Sequence, residues 1–504
     1  MNPLLLGIDI GTTNIKAVVF DPQGKTVAST SVKTPTHYPR PNWAYYVPDE
    51  IWAQTVAAIR QTVSRVDQPQ RIVSVAVTSV AESAVPIDEH GQPTYDSIAW
   101  FDTRTEPQQR WLDEHIGHRR LFDVSGLSLQ PIFGLCKVLW LREHEPDAYQ
   151  RSVLWLNMAD YIAFRLSGQA VTNYSLASRT LALNLRQLQW DEPLLKDLGI
   201  PVSFWGPLAP GGLSIGNVLP DVATATGLST SCVVATGGHD HVCAALVLGA
   251  NRPGTMLDSM GTAEAMLVSV DTPTQDHHYG EQGYGQGAHV VSGYYMMGGL
   301  TTSSACIEWL RDVMAPGTEY AGLIAEAGRV PMGSLGVTFM PHLRVAHTPN
   351  LDPLSRGCFI GVSADVTRGV LFRSVLEGLA LEYYNGFAPL LGYAGLEKID
   401  TIYATGGGTR NHLLMQIKAS VFNQPLQVVS VDEATALGAA VLGGLATGIY
   451  QDVADITRHM DFGMTTIEPL PEQADYYAKV YEQVYCHLYD TLRPLNHALY
   501  RLNN

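Results

Sequence analysis

The sequence is poor in cysteine, poor in charge and poorer still in basic residues, and each shortage narrows what the chain can be. Six cysteines (Cys136, Cys232, Cys243, Cys306, Cys358 and Cys486) are scattered over 504 residues, with no CxxC pair and no regular spacing. No disulfide framework follows from such a pattern, and reduced thiols, most of them small core residues, are expected. Charged residues make up 16% and hydrophobic residues 46%, which excludes a disordered chain and describes a well-packed globule. Lysine and arginine number 32 against 48 acidic residues, a formal net charge of -16. A surface of that sign does not attract polyanions, so no nucleic-acid and no membrane partner is expected. An anionic nucleotide in a local cleft lined by donors stays compatible with it. The apolar opening Pro3-Leu4-Leu5-Leu6 meets Asp9 too soon for a signal peptide, and the charge-free run 434–451, rich in Gly and Ala, falls short of a membrane span. A cytoplasmic protein is expected. A homodimer is compatible with the composition, which sets no oligomeric state. The length exceeds what one core organises, so two large domains are expected.

Against these shortages stands one pattern that occurs twice. The first copy is Leu6-Gly7-Ile8-Asp9-Ile10-Gly11-Thr12-Thr13-Asn14-Ile15-Lys16, and the second is Met256-Leu257-Asp258-Ser259-Met260-Gly261-Thr262-Ala263-Glu264. Each reads as a strand, a tight turn with Gly-Thr at its tip, and a second strand. Glycine leaves backbone amides bare and threonine adds a hydroxyl, so such a tip suits phosphate oxygens. Asp9 sits where a strand ends beside the first tip, a sensible place for a carboxylate that holds magnesium. Two such hairpins facing each other imply a nucleotide clamped between duplicated halves.

Around the repeat, runs at 4–10, 15–21 and 25–32 read as strands, and a helix opens at Pro48 with Trp52, Val56, Ile59 and Val63 on one face. The run 72–78 reads as a buried strand, and 232–235 as another that enters a turn at Gly237-Gly238-His239-Asp240-His241 before a helix at 242–248. Long helices are expected around 366–391 and 411–422, a strand running into a glycine turn at Ala404-Thr405-Gly406-Gly407-Gly408, and a Tyr-rich terminal helix from about 471. The alternation is that of a mixed α/β layer fold.

Nine segments in register carry a resemblance to a known family: Leu6-Gly7-Ile8-Asp9-Ile10-Gly11-Thr12-Thr13, Pro41-Asn42-Trp43 with Pro48-Asp49-Glu50-Ile51-Trp52, Lys137-Val138-Leu139-Trp140-Leu141, Ala177-Ser178-Arg179-Thr180, Gly237-Gly238-His239-Asp240, Trp309-Leu310-Arg311-Asp312, Gly357-Cys358-Phe359-Ile360-Gly361-Val362, Gly406-Gly407-Gly408 and Ala436-Leu437-Gly438-Ala439-Ala440. Together they resemble the FGGY carbohydrate kinases over nearly the whole chain. That resemblance implies two duplicated actin-like ATPase (ribonuclease H-like) lobes with a cleft between them. The first, 1–248, would carry the sugar and the catalytic base, and the second, 249–504, the nucleotide, with the terminal helix packing back. The cofactors it implies are ATP and magnesium.

The roles implied by the resemblance fall on matching residues. Asp240 is the catalytic base, because phosphoryl transfer to a hydroxyl needs a carboxylate to accept the proton. Asp9 is the magnesium-associated carboxylate. Gly11, Thr12, Thr13 and Lys16 match the first phosphate loop, Gly261 and Thr262 the second, and Gly407, Gly408 and Asn411 the adenosine turn. On the sugar side Ala81 and Glu82 fall where glycerol kinases carry Arg-Glu and xylulokinases Met-His. Trp100, Asp102 and Arg104 resemble the xylulokinase segment that lines the substrate pocket, and His241 follows the base where relatives carry an amide. Ala81 in place of Arg and Ile132 in place of Tyr argue against glycerol, and the missing His at position 82 weakens D-xylulose. The expectation is an ATP-dependent kinase of a small sugar, a pentulose such as xylulose first, with another ketose or polyol as the alternative. A non-kinase ATPase of the same fold and a sugar-sensing regulator are the rivals. The sugar-pocket segment at 100–104 and the absence of a basic DNA-reading helix speak against them.

Overall fold

The computed structural model describes residues 2–431, 433–460 and 462–503. Its frame is a pair of sheets built to one plan. The first comprises β1 (Leu4–Ile10), β2 (Asn14–Phe20), β3 (Thr26–Lys33), β4 (Ile72–Ser79), β5 (Ser214–Asn217) and β6 (Val233–His239), in the order β5-β6-β4-β1-β2-β3. The second comprises β7 (Thr255–Met260), β8 (Glu264–Val270), β9 (Gly285–Ala288), β10 (Tyr294–Leu300), β11 (Thr401–Thr405), β12 (Leu426–Ser430) and β13 (Gly463–Ile467), in the order β9-β10-β8-β7-β11-β12-β13. In the first sheet β1 pairs antiparallel with β2 and parallel with β4, and β6 continues the parallel run before an antiparallel edge. The second repeats this with β7 between β8 and β11, then β12 and β13. The twofold hairpin read from the sequence is thus the visible part of a duplicated sheet, to which β9 adds one edge strand.

The helices that matter for the site are α1 (Pro48–Val63), α2 (Gly134–His144), α3 (Asp240–Val247), α4 (Arg368–Ala394), α5 (His412–Phe422), α6 (Ala434–Ala446), α7 (Pro471–Val480) and α8 (Cys486–Asn503). Helices α3 and α6 pack against each other between the sheets, in an apolar layer that includes Leu5, Val18, Leu246, Leu257, Leu437 and Val441. A Cβ on Gly438 would come within 2.2 Å of the Cys243 carbonyl, so glycine there lets the two helices cross at backbone contact. Beyond α7 a wider turn at 481–485 leads into α8, and Tyr477 and Tyr485 are buried against the second half.

Two expectations shift. The stretch Gly237-Gly238-His239 is not a turn: it stays in β6, with Gly238 opposite Thr78 and His239 opposite Ser79. A Cβ on Gly237 would lie 1.6 Å from the Val77 carbonyl, so that glycine serves a close strand approach, and the helix begins abruptly at Asp240. In α1 the buried face is Ile51, Thr55, Ala58, Ile59, Thr62 and Val63. Trp52 lies at its rim, under the Arg165 guanidinium. All six cysteines are unpaired, four of them buried. Among the described residues no helix is long and apolar enough to cross a membrane.

Candidate active site

Asp240 ends up where a parallel strand gives way to a helix, at the cleft between the two sheets. Its Oδ1 accepts the His241 backbone N–H at 2.6 Å and lies 3.1 Å from His239 Nε2. Among the described residues no hydrogen bond reaches Oδ2. Burial alone would raise this carboxyl, but His241 and the hydrogen bond from His239 outweigh it and hold the group well below the usual carboxylate range. The first turn of α3 adds its positive end to the same effect. His239 is fixed in turn, its backbone N–H donating to Ser175 Oγ at 2.9 Å.

The cleft beside Asp240 has a volume of about 800 Å³ and takes its walls from both halves. From the first come Lys16, Asp240 and His241, and from the second Ser259, Gly406, Gly407, Thr409, Arg410 and Glu433. Gly406 has φ +100°, and a Cβ there would meet the Met260 carbonyl at 2.3 Å, so the turn lies flat against the hairpin strand. Asn411 caps α5, its Oδ1 accepting from Leu414 N–H at 3.2 Å. Lys16 Nζ donates to Glu433 Oε2 at 2.6 Å, spanning the cleft from β2 to the start of α6. A slightly larger surface cleft of about 910 Å³, around Trp190 and Asp191, has no glycine in its walls. Chemistry, not size, singles out the first.

Asp9 ends β1 close to Asp240. Burial, then the Asp240 charge, push its carboxyl up to about 7 against the pull of Lys16. Two carboxylates crowded this way are what a divalent cation relieves, and the hard oxygen of Asp9 suits magnesium. Among the described residues no group of three or more His, Cys, Asp or Glu is arranged as a metal cage. A cation here would complete its shell from phosphate oxygens and water, as magnesium does. The tip of the first hairpin is tied from outside: Trp100 Nε1 donates to Thr12 Oγ1 at 2.9 Å, and Thr34 N–H donates to the Thr13 carbonyl at 2.9 Å. At the second tip the Ser303 N–H holds the Thr262 carbonyl at 2.9 Å, and Gly261 N–H donates to the Ala263 carbonyl at 2.9 Å.

The expected sugar-side residues divide. Glu82, in the loop after β4, is buried beside His239, with Oε1 accepting from Arg179 Nε at 2.7 Å. Burial raises its carboxyl, yet Arg179 and then His239 outweigh this and hold it ionised. Ala81 lies wholly in the first core, with no exposed surface. Asp102 has both oxygens occupied, by Arg104 N–H and Nε on one and by Ala44 N–H and Arg104 Nη2 on the other. The Arg104 guanidinium lies over Trp43 and Trp140. Of the expected substrate contacts, Asp102 and Arg104 have buried side chains paired with each other, and Ala81 has no exposed surface.

Two residues that matter were overlooked as individuals. Arg179 was visible only within a motif, and Lys137 only as part of an apolar helix segment. Lys137 is fully buried in α2, with Nζ donating to the carbonyls of Glu82 at 2.6 Å and of Ile98 and Ala99 at 3.2 Å. Burial pushes its ammonium down to about 7. It staples the Glu82 loop to the strand end that precedes Trp100. A lysine inside an otherwise buried apolar run was the available signal.

The domain models of the FGGY family of carbohydrate kinases match here, the N-terminal domain over residues 4–247 and the C-terminal domain over 256–447. A xylulose kinase of Bacillus subtilis (strain 168) is 27% identical, covering 98% of each chain. A gluconokinase of the same organism is 28% identical, over 89% of this chain and 88% of the relative. The crystal structure of a xylulose kinase from Rhodospirillum rubrum superposes with a TM-score of 0.89 at 27% identity, covering 98% of this chain and 100% of the other. Duplicated sheets, two Gly-Thr hairpins and a cleft walled by both halves thus coincide with family models over most of the sequence, and the chain belongs to the FGGY family of carbohydrate kinases, phosphotransferases that use ATP.

Proposed function

We propose that this kinase phosphorylates a small neutral sugar, a pentulose such as xylulose before other ketoses and polyols. The observation that carries the reading is Glu82, a buried carboxylate kept ionised by Arg179 and lying beside His239, the neighbour of Asp240. Its charge consumes that of Arg179, and Asp9 and Asp240 add two more acids nearby. An aldonate would bring a fourth negative group beside these three acids, whereas sugar hydroxyls donate readily to carboxylates. In this reading residues 1–248 hold the sugar and the base, and 249–504 hold the nucleotide. The unpaired thiols support a cytoplasmic setting. An ADP-release assay over tetruloses, pentuloses, hexuloses, polyols and gluconate tests it: a pentulose should give the highest kcat/KM, and gluconate as best substrate would overturn it.

The mechanism follows from where the protons can go. With Oδ1 of Asp240 occupied, Oδ2 receives the hydrogen bond of one sugar hydroxyl. As that oxygen bonds to the γ-phosphorus, the bond to the β-γ bridging oxygen breaks, ADP leaves, and the hydroxyl proton passes to Oδ2. A carboxylate this weakly basic does not deprotonate the alcohol beforehand; it takes the proton as the oxygen forms its bond to phosphorus. The hairpin tips offer the hydroxyls of Thr12, Thr13 and Thr262 to the phosphates, with Gly11 and Gly261 leaving room beside them, and Lys16 offers a cation once it leaves Glu433. Asp9 would hold magnesium, which when bound neutralises β- and γ-phosphate oxygens. Asp102, Arg104 and Lys137 shape the sugar loops from behind.

Two consequences are measurable. Glu82→Gln should raise KM for the best sugar by about 1–3 kcal/mol equivalent, the weight of a hydrogen bond to a charged group, and leave KM for ATP unchanged. Steady-state kinetics with each substrate varied separates the two, and an unchanged sugar KM would remove Glu82 from the pocket. On the nucleotide side, a Cβ at Gly407 meets nothing within 4 Å and the residue lines the cleft. Gly407→Leu should therefore keep the wild-type melting temperature while raising KM for ATP by about tenfold or more. A variant with wild-type KM would displace the nucleoside from this turn.

A further inference from the structure

Behind the second hairpin lies a cluster of charges that the chemistry above does not use. Asp258 in β7, Glu264 at the head of β8 and Lys418 in α5 are 1%, 3% and 1% exposed. Lys418 Nζ donates to both Asp258 Oδ2 and Glu264 Oε1. The Tyr383 ring faces the same ammonium at 3.9 Å. Ser303 Oγ donates to Glu264 Oε2 at 2.5 Å. Burial, and the neighbouring Glu264 with it, push the Asp258 carboxyl up against the pull of Lys418. Apolar side chains of similar volume usually hold a core as well as a buried ion cluster does. Stability is therefore a weak reason for three charges here, and their connections suggest a better one.

Each member is wired to a different part of the nucleotide half. Glu264 is the first strand residue after the tip at 261–263 and lies opposite Met260. Ser303, which holds Glu264 through its hydroxyl, holds the Thr262 carbonyl through its N–H at 2.9 Å. Lys418 stands on the helix that Asn411 caps, directly after the glycine turn at 406–408. A single ammonium thus bolts the hairpin that faces the phosphates to the helix that carries the nucleoside turn. We propose that Lys418 is a positioning residue for ATP, fixing the spacing between the Gly261-Thr262 tip and the Gly406-Gly407-Gly408 turn. The proposal rests on the nucleotide placement given under the proposed function.

Lys418→Met alone would leave both Asp258 and Glu264 buried without their cation; Asp258, already pushed up by burial, can keep its proton, so the test uses the full chain with the pair Lys418→Met/Glu264→Gln. KM for ATP should rise by about tenfold or more, while KM for sugar, and sugar affinity measured by calorimetry without nucleotide, stay within about twofold. A purely structural role would move both substrates together, and that result overturns the proposal. So does a folded double variant whose KM for ATP stays within about twofold of wild type. Should the double variant not fold, Ser303→Ala removes one hydrogen bond and no charge, and must give the same ATP-only shift in milder form; its absence there overturns the proposal. Gly407→Leu is the reference: if it too leaves KM for ATP untouched, the nucleotide placement fails rather than the role of Lys418.

Discussion

Replacing Asp240 by Asn is expected to lower kcat by about a hundredfold to ten-thousandfold, the range that positioned general bases contribute. Affinity for an ATP analogue should stay near that of wild type, because the nucleotide walls of the cleft come mainly from residues 406–410 and 433–435. The amide is nearly the same size and can keep the hydrogen bonds that Oδ1 accepts from His241 N–H and His239, so the loss reads the proton acceptor rather than the shape. Stopped-flow or coupled ADP-release kinetics with analogue titration separate the two quantities. Retention of more than about a tenth of wild-type kcat would remove Asp240 as base.

The second large effect concerns stability. Arg179→Met strips the buried Glu82 carboxylate of its partner at 2.7 Å and should lower unfolding free energy by about 3–5 kcal/mol at neutral pH, the usual result of stranding a buried charge. In the wild type the Glu82 carboxyl is depressed below 4.5. Its contribution is therefore present above that value and lost as pH falls through the lower folded one. In the variant the same group is no longer depressed, so the gap to wild type should shrink on acidification. Arg179→Met/Glu82→Gln should recover most of the loss. Urea denaturation across pH checks all three statements, and a single variant as stable as wild type would contradict them.

Much of this was legible because it is local. An apolar run, a Gly-Thr tip and a second run specify a hairpin within a dozen residues, and Leu4–Ile10 is a strand over the expected span. The glycines at 237 and 238 misled for a physical reason. Glycine marks either a turn or a backbone crowded by its neighbour, and only the position of Val77 decides which. Side-chain partners across long chain separations had no local signal. Glu82 with Arg179, Lys16 with Glu433, and Lys137 with the carbonyls of Ile98 and Ala99 meet because two sheets and the helices between them bring distant loops together. For the same reason Asp102 read as a polar group free for sugar, although Ala44 N–H and Arg104 already fill both of its oxygens.

Sugar and nucleotide should meet at one carboxylate, and a crystal structure with a pentulose and a non-hydrolysable ATP analogue tests that most directly. One sugar hydroxyl should lie within hydrogen-bond distance of Asp240 Oδ2, with Glu82 on the sugar and adenosine against Gly407. A sugar seated elsewhere, or a reacting hydroxyl that faces a carboxylate other than Asp240, would contradict the account.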